Sequence, residues 1–507
     1  MVQYIRSHLP FILLLIAVAG FILYFSLFTV IRYQKLYSHY FDLAIMHQTT
    51  YNSYMALKTG DMSRFLEMTD PHTSLDQVKR MSIHNDILLG LISPLYFIHD
   101  GPETLLILQV TVVAIGGYFI FLIAENIFKK RPFASWIACA FSLSYLLYPP
   151  LQKAVNFDFH AITLAPTFLL AMFYFGMKKR YVLSAFFAIL TMTTKEQIGL
   201  VISLYGVYLL YIHISFKQLT IGALKRSFLK VPRRVKAWSF FLIASGLMWV
   251  VLSMIVIIPA FRGSEHFGAK YYSYLIENPF QIFSVVFRYE TLQYLFIILA
   301  PAALLSILSP VQLLIAVSEF MTNILSSNGN MRNIYFHYDT ALTAFVFISS
   351  MYGARRFLDM RQLRFAREKT LIIYVLFMAT IFSLYMSPLP WGHHRETFLW
   401  SNEEAKLQDV LLWQSYLKDD QMKVSASGHI APHFASRQYL YDFSGGYERA
   451  EYVIVDTWDI ARGFQAEESL VQYARLTNDW RYIRIYMSNG IEVYKEFKVE
   501  SPTSKVQ

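Results

Sequence analysis

Apolar runs of roughly 20 residues recur along this chain, separated by short clusters of lysine and arginine, and in a bilayer such runs can only become helices, because lipid offers no partner to a free backbone N–H or C=O. The first run, 11–31, has the length of a spanning helix and exceeds the ~7–15 apolar residues of a signal-peptide core. No small-residue cleavage site follows it before Arg32, so it reads as a retained span. Composition agrees: 55% of the 507 residues are hydrophobic and only 16% charged, which excludes an ordinary soluble domain and points to a polytopic membrane protein. The net charge of +10 would suit a nucleic-acid binder. The basic residues lie between the apolar runs, however, so they report topology, and nucleic acid is not an expected partner. The single cysteine, Cys139, rules out a disulfide within the chain.

Four basic clusters, Lys129-Lys130-Arg131, Lys178-Lys179-Arg180, 217–236 and 355–369, are cytoplasmic by the positive-inside rule. Apolar segments at 104–127, 133–149, 161–177, 181–193, 198–214, 238–260, 291–308, 310–325, 339–353 and 371–388 satisfy that rule with the N-terminus inside and the region after 389 outside. Counting 83–98, with its Ser93-Pro94, as a span would put Lys129 outside, so that stretch is expected to be re-entrant or interfacial. The expected fold is an all-α polytopic transmembrane bundle of about eleven spans over 1–388. Its first external loop, 32–103, carries interfacial helices, and a small extracytoplasmic α/β domain follows at 389–507. In that domain 403–418 and 466–477 read as helices and 452–456 and 482–487 as strands, and Ser488-Asn489-Gly490 is a type I′ hairpin signal.

On this topology the outer loops and outer span ends collect Asp42, His47, Asp70, His72, His84, Asp86, Asp158, His160, Lys195, Glu196, Glu265, His266, Arg332, His337 and Asp339. Any one of them has a bland explanation as a solvated residue or helix cap. Ionisable groups beside apolar segments are costly unless paired or facing a wet cavity, so their one-sided accumulation argues for an external site.

Several short motifs resemble a known family in their order and spacing. Phe41-Asp42-Leu43-Ala44-Ile45 with Gln48, His84 followed by 87–96, and Thr104 to Gln109 look like segments of the DUF2079 family of predicted membrane proteins. So do Tyr148-Pro149-Pro150-Leu151-Gln152, Asp158-Phe159-His160, Thr194-Lys195-Glu196, Ala431-Pro432-His433 with Arg437, and Tyr452 to Asp456. Two positions depart: His47 stands where relatives often carry a second Asp, and Asn85-Asp86-Ile87 where they have Phe-Ser-Pro.

The family looks similar to GT-C glycosyltransferases, and the resemblance implies a membrane enzyme that moves a hexosyl or pentosyl group from a polyprenyl-phosphate carrier to a glycan, lipid or protein acceptor at the outer face of the cell membrane. Asp42 then holds the place of the essential acid after the first span, as general base for the acceptor. His47, His84, Asp86, Asp158, His160, Lys195, Glu196, Arg332 and His337 are the expected substrate-binding residues, with Arg332, His337 and Lys195 on the departing phosphate. A divalent metal, magnesium or manganese, is compatible with Asp42, His84, Asp158 and His160, although no spacing among them is a metal signature. The competing readings are a transporter or flippase of a lipid-linked or small polar substrate, and a non-catalytic envelope assembly protein. Against transport, the sequence has no paired halves with inverted hydropathy and no matched broken helices.

Overall fold

The computed structural model describes residues 2–71, 75–215, 220–360 and 367–497. His72, Lys217, part of the basic cluster 355–369 and the last ten residues of the C-terminal region lie outside them. The chain is mostly helical with a small sheet near its C-terminal end, and it divides into two compact units. The first comprises Met1–Leu27, Met81–Leu88 and Ile107–Glu396, and the second Phe28–Arg80, Leu89–Leu106 and Thr397–Gln507. Most of the segment 32–103 therefore groups with the C-terminal region.

Four helices are long and apolar enough to cross a membrane: His8–Gln34, Glu103–Phe128, Arg233–Arg262 and Glu368–Met386. The last has 19 residues, which at ~1.5 Å per residue rise about 28 Å, close to the hydrocarbon thickness. The runs at 133–149, 161–177, 181–193, 198–214 and 310–325 fold as the shorter helices Ala134–Leu146, Ala161–Met177, Tyr181–Met192, Ile198–Tyr211 and Pro310–Leu325. Among the described residues four of the eleven expected spans are single helices both long and apolar enough to cross, and most of the others are shorter or broken. Proline explains one shortening: Tyr148 is extended at ψ 112° ahead of Pro149, where a helix would need an N–H that proline lacks, and a new helix, Pro149–Phe157, starts there. The expected span at 339–353 is part of Thr340–Asp359, a helix buried along most of its length.

The run at 291–308 is not one helix. Tyr289–Leu299 gives way to the turn Ala300–Ala302, then Ala303 (φ 66°) and Leu304 (φ 55°) adopt the left-handed region, and a second turn follows at Leu305–Leu308. Carbonyls released by the break find hydroxyl donors on neighbouring helices: Tyr374 donates to Ala303 O at 3.1 Å, and Ser349 donates to Ser306 O at 3.1 Å and Ser309 O at 2.8 Å. Gly353 lets this segment lie against the helix Thr340–Asp359, since a Cβ at that position would sit 1.8 Å from Leu305 O. The stretch expected to be re-entrant folds as the ten-residue Leu88–Phe97, about 15 Å long at ~1.5 Å per residue and too short to cross.

The second unit holds a turn of π-helix, Tyr40–Ala44, running into the helix Ile45–Thr59, and a hairpin of β1 (Glu67–Thr69) and β2 (Gln77–Lys79). Its larger sheet contains β3 (Val424–Ala426), β4 (Leu440–Asp442), β5 (Tyr452–Asp456), β6 (Tyr482–Ser488) and β7 (Ile491–Glu496) in the order β4-β3-β5-β7-β6. β3 pairs in parallel with β4 and β5, whereas β7 is antiparallel to β5 and β6. The predicted strands are β5 and β6, and the predicted helices are Glu404–Tyr416 and Ala466–Leu476. Asn489 (φ 48°) and Gly490 (φ 83°) make the β6–β7 turn with both residues left-handed, as type I′ requires. Tyr441, Phe443, Val453, Val455, Ile460, Tyr482 and Tyr494 pack a core against this sheet.

Candidate functional site

In the first unit the turn between Tyr181–Met192 and Ile198–Tyr211 carries Thr194-Lys195-Glu196, and the segment before Leu88 is tied to it by Leu88 N–H donating to Thr193 O at 3.1 Å. That tie brings His84 and Glu196 together across 112 residues, with Nδ1 to Oε1 at 2.8 Å. The other carboxylate oxygen accepts the backbone N–H of Asn85 at 3.0 Å. His266 completes the group, its Nε2 standing 3.2 Å from Glu196 Oε1. Burial alone would raise the Glu196 carboxyl, but the charge of His84, the approach of His266 and nearby Lys195 hold it well below the usual carboxylate range. Glu196 is therefore ionised, and both imidazoles stand beside a fixed negative charge.

Among the described residues His84, Glu196 and His266 are grouped as a metal site would be, with ligand atoms all within 4.8 Å of one another. Two imidazoles and a carboxylate suit zinc or a similar borderline ion better than magnesium or manganese. The donor set fits only in part. His266 Nδ1 accepts the backbone N–H of Gly268 at 3.0 Å, which leaves the ring proton on Nε2, the atom that faces Glu196. A metal there would require Nε2 bare and Nδ1 protonated against another N–H. The geometry instead describes a carboxylate hydrogen-bonded by His84 and the Asn85 N–H and faced by His266 Nε2, which is buried without a hydrogen-bond partner.

Beside Lys195, whose Nζ lies 5.9 Å from the Tyr338 ring centre, His337 is stacked on His160 with ring centres 3.6 Å apart and planes at 19°. Burial, then His160, Lys195 and His84, push the His337 imidazole well below its ordinary value, and its Nδ1 has no hydrogen-bond partner. Gln109 fixes the loop that carries His160, accepting from His160 N–H at 3.1 Å and donating to Val155 O at 3.0 Å. Asp158, at the end of Pro149–Phe157, and Asp86 are both buried in this unit. Arg332 donates from Nη1 to the carbonyls of Asn323, Ile324 and Ser326 at 3.2, 3.4 and 2.6 Å, closing the C-terminal end of Val317–Leu325, which is a bracing role.

Asp42 belongs to the second unit, half-buried on the π-helical turn. His39 caps that turn, its Nδ1 accepting from Phe41 N–H at 3.4 Å. The His39 ring centre lies 5.3 Å from that of His429, and Asp459 accepts the His429 backbone N–H at 3.0 Å. Gly428 makes this approach possible, because a Cβ there would stand 2.2 Å from His39 Nε2. Burial and His429 lower the His39 imidazole, while Asp42 and Asp459 pull it the other way.

His47 has no exposed surface, and both ring nitrogens are engaged, Nδ1 with Tyr96 Oη at 2.7 Å and Nε2 with Ser436 Oγ at 2.8 Å. Gln48, one residue on, donates to Thr69 Oγ1 and accepts from Thr69 N–H at 3.0 and 3.1 Å. These two motif residues brace the loop that presents Asp42. His266 had a sequence signal as one more outer-loop histidine. His39 and Asp459 had none, because their relevance comes from pairing across 390 and 30 positions with His429.

The braces also predict an acid response. Burial, with His99 nearby, pushes His47 down to about 3, and burial pushes His433 down to about 4, whereas an unfolded imidazole titrates at 6.5. Below 6.5 the unfolded chain therefore binds two protons that the fold refuses, and stability falls on acidification. Asp442 acts oppositely: burial raises it from 3.8 to about 6, so between those values the fold holds a proton that the unfolded chain releases. His47 by itself contributes a loss of about 1.4 kcal/mol per pH unit on acidification from pH ~6 to ~4. Thermal melting of the solubilised protein and of a His47→Gln variant across that range measures this contribution as the difference between the two profiles, the variant losing less stability as the pH falls.

Comparison with known proteins gives a family match and similar solved structures. The model of a family described as "Predicted membrane protein (DUF2079)" matches residues 32–493. No curated protein matches the sequence. Among solved structures, ArnT from Cupriavidus metallidurans in the apo state is similar at 11% identity, covering 89% of this chain and 93% of that chain, with a TM-score of 0.45.

Proposed function

We propose, on the premise that the chain belongs to the DUF2079 family of predicted membrane proteins, that it is a membrane glycosyltransferase of GT-C type. In this reading a hexosyl or pentosyl group passes from a polyprenyl-phosphate donor to a glycan, lipid or protein acceptor on the outer face, with the N-terminus cytoplasmic and the C-terminal region outside. The observation that carries it is the convergence of His84, Lys195, Glu196, His266 and His337, distant in sequence, in a single compact unit. Such a set offers a departing lipid phosphate imidazole N–H donors and a lysine beside an ionised carboxylate. In this reading Asp42, a half-buried carboxylate, takes the acceptor's proton as the new glycosidic bond forms.

One observation favours transport as the second reading. The break at Ala303 and Leu304 interrupts an apolar segment, as discontinuous helices do in many carriers. Its carbonyls are met by hydroxyls of this same chain, however, which leaves less of the break for a substrate. Membrane vesicles carrying the protein, given radiolabelled sugar on polyprenyl phosphate, separate the two. Transfer is expected to place label in a new glycosidic bond, and label that crosses the vesicle with its donor bond intact would overturn the proposal.

A further inference from the structure

We infer that the second unit carries a sugar-binding subsite of its own, formed by Trp458 and Phe464 beside His429 and Asp459 and bordered by His39 and Asp42, which takes an uncharged, hydroxylated sugar ring. That this ring is the acceptor rests on the transferase reading; that a sugar binds here does not.

Trp458 and Phe464 are 50% and 78% exposed, large apolar faces that the core of the unit does not use. They flank a polar floor. The Trp458 ring centre lies 6.1 Å from that of His429, and Phe464 lies 6.0 Å from His39, edge to face. Asp459, 5% exposed, accepts the His429 backbone N–H and stands 3.7 Å from its Nε2. His429 keeps 23% of its side chain exposed, and its Nδ1, buried inside the cluster, has no hydrogen-bond partner.

Aromatic faces beside imidazole and carboxylate groups match the two surfaces of a sugar ring, whose C–H faces pack on aromatics and whose hydroxyls bond to ionised acceptors. Two alternatives fit less well. An aromatic anchor at a lipid headgroup layer would have apolar or basic neighbours, not Asp42 and Asp459. An anionic phosphate would meet those carboxylates directly, and like charges repel at such range. The occupant is therefore the sugar and not its phosphate.

The test is saturation-transfer NMR on the full chain in detergent micelles, with methyl glucoside, methyl galactoside, methyl mannoside and methyl N-acetylglucosaminide as probes. At least one is expected to give a signal that falls fivefold or more in both Trp458→Ala and Phe464→Ala. Trp480→Ala, which removes a 76% exposed tryptophan elsewhere on the unit, should leave it intact. All three side chains are exposed, so melting temperatures should stay within a degree or two of the parent. No signal from any probe, a signal that survives both substitutions, or an equal loss in Trp480→Ala would overturn the subsite. Binding without any transfer in vesicles would sink the transferase reading and leave the subsite standing. Transfer unaffected by Trp458→Ala and Phe464→Ala, with no probe bound, would do the reverse.

Discussion

Asp42→Asn is expected to lower sugar transfer by about 10²–10⁴-fold, the usual worth of a general base, and to leave binding of polyprenyl phosphate unchanged. The carboxamide has the shape of the carboxylate, and Asp42 is half-buried on a turn held by its neighbours, so the fold should tolerate it. The turn is capped by His39, tied down at Tyr40 by a hydroxyl that donates to Leu440 O at 3.1 Å, and followed by His47 and Gln48, whose polar atoms are engaged. What the substitution removes is the ability to accept a proton while the acceptor attacks. Transfer equal to that of the parent would take Asp42 out of the mechanism. Because His47 is sealed between Tyr96 and Ser436, it offers no second base, and the loss in Asp42→Asn should not be recovered through it.

Glu196→Gln is expected to weaken polyprenyl-phosphate binding about ten- to hundredfold, or roughly 1.4–2.8 kcal/mol. Glutamine fills the same space, but it withdraws the negative charge that His84 Nδ1 and His266 Nε2 face. Glu196→Asp, which keeps the charge, should retain more of the binding than Glu196→Gln. A merely structural role for Glu196 would make the two variants lose binding alike. Chelation should leave transfer by the parent protein intact, since the proton on His266 Nε2 occupies the position a metal would need. Loss of transfer on chelation, restored by zinc, would show instead that the ring binds with its two nitrogens exchanged.

Much of this is legible in the sequence. The length and spacing of apolar runs announce a membrane-embedded helical chain, since hydropathy is a property of each segment alone. The hairpin at Asn489-Gly490 and the strand 452–456 are local signals of the same kind, written in turn chemistry and β-branched residues. The three-residue β3 and β4 were invisible because so short a stretch has no periodicity to read; they are strands only because each has a partner to pair with. The break at Ala303 and Leu304 was likewise hidden, since both residues read as good helix formers. The left-handed turn there holds because Ser349, Tyr374 and Gly353 meet it from elsewhere in the chain.

The same division runs through the candidate site. Sequence by itself selected Asp42, His84, Lys195, Glu196 and His337 as polar residues beside apolar segments, because an ionisable group in such a place needs a reason. It could not separate groups that face a reactant from groups that brace the fold, for His47, Gln48, Gln109 and Arg332 are equally polar and lie beside similar segments. Only the tertiary structure shows that the second set spends its hydrogen bonds on the protein's own backbone and side chains, and that His84 joins Glu196 across 112 residues. The physical reason is that hydropathy and turn propensity act over a few neighbouring residues, whereas a charge, a hydrogen bond or a stacked ring acts on whatever the folded chain sets within a few ångströms.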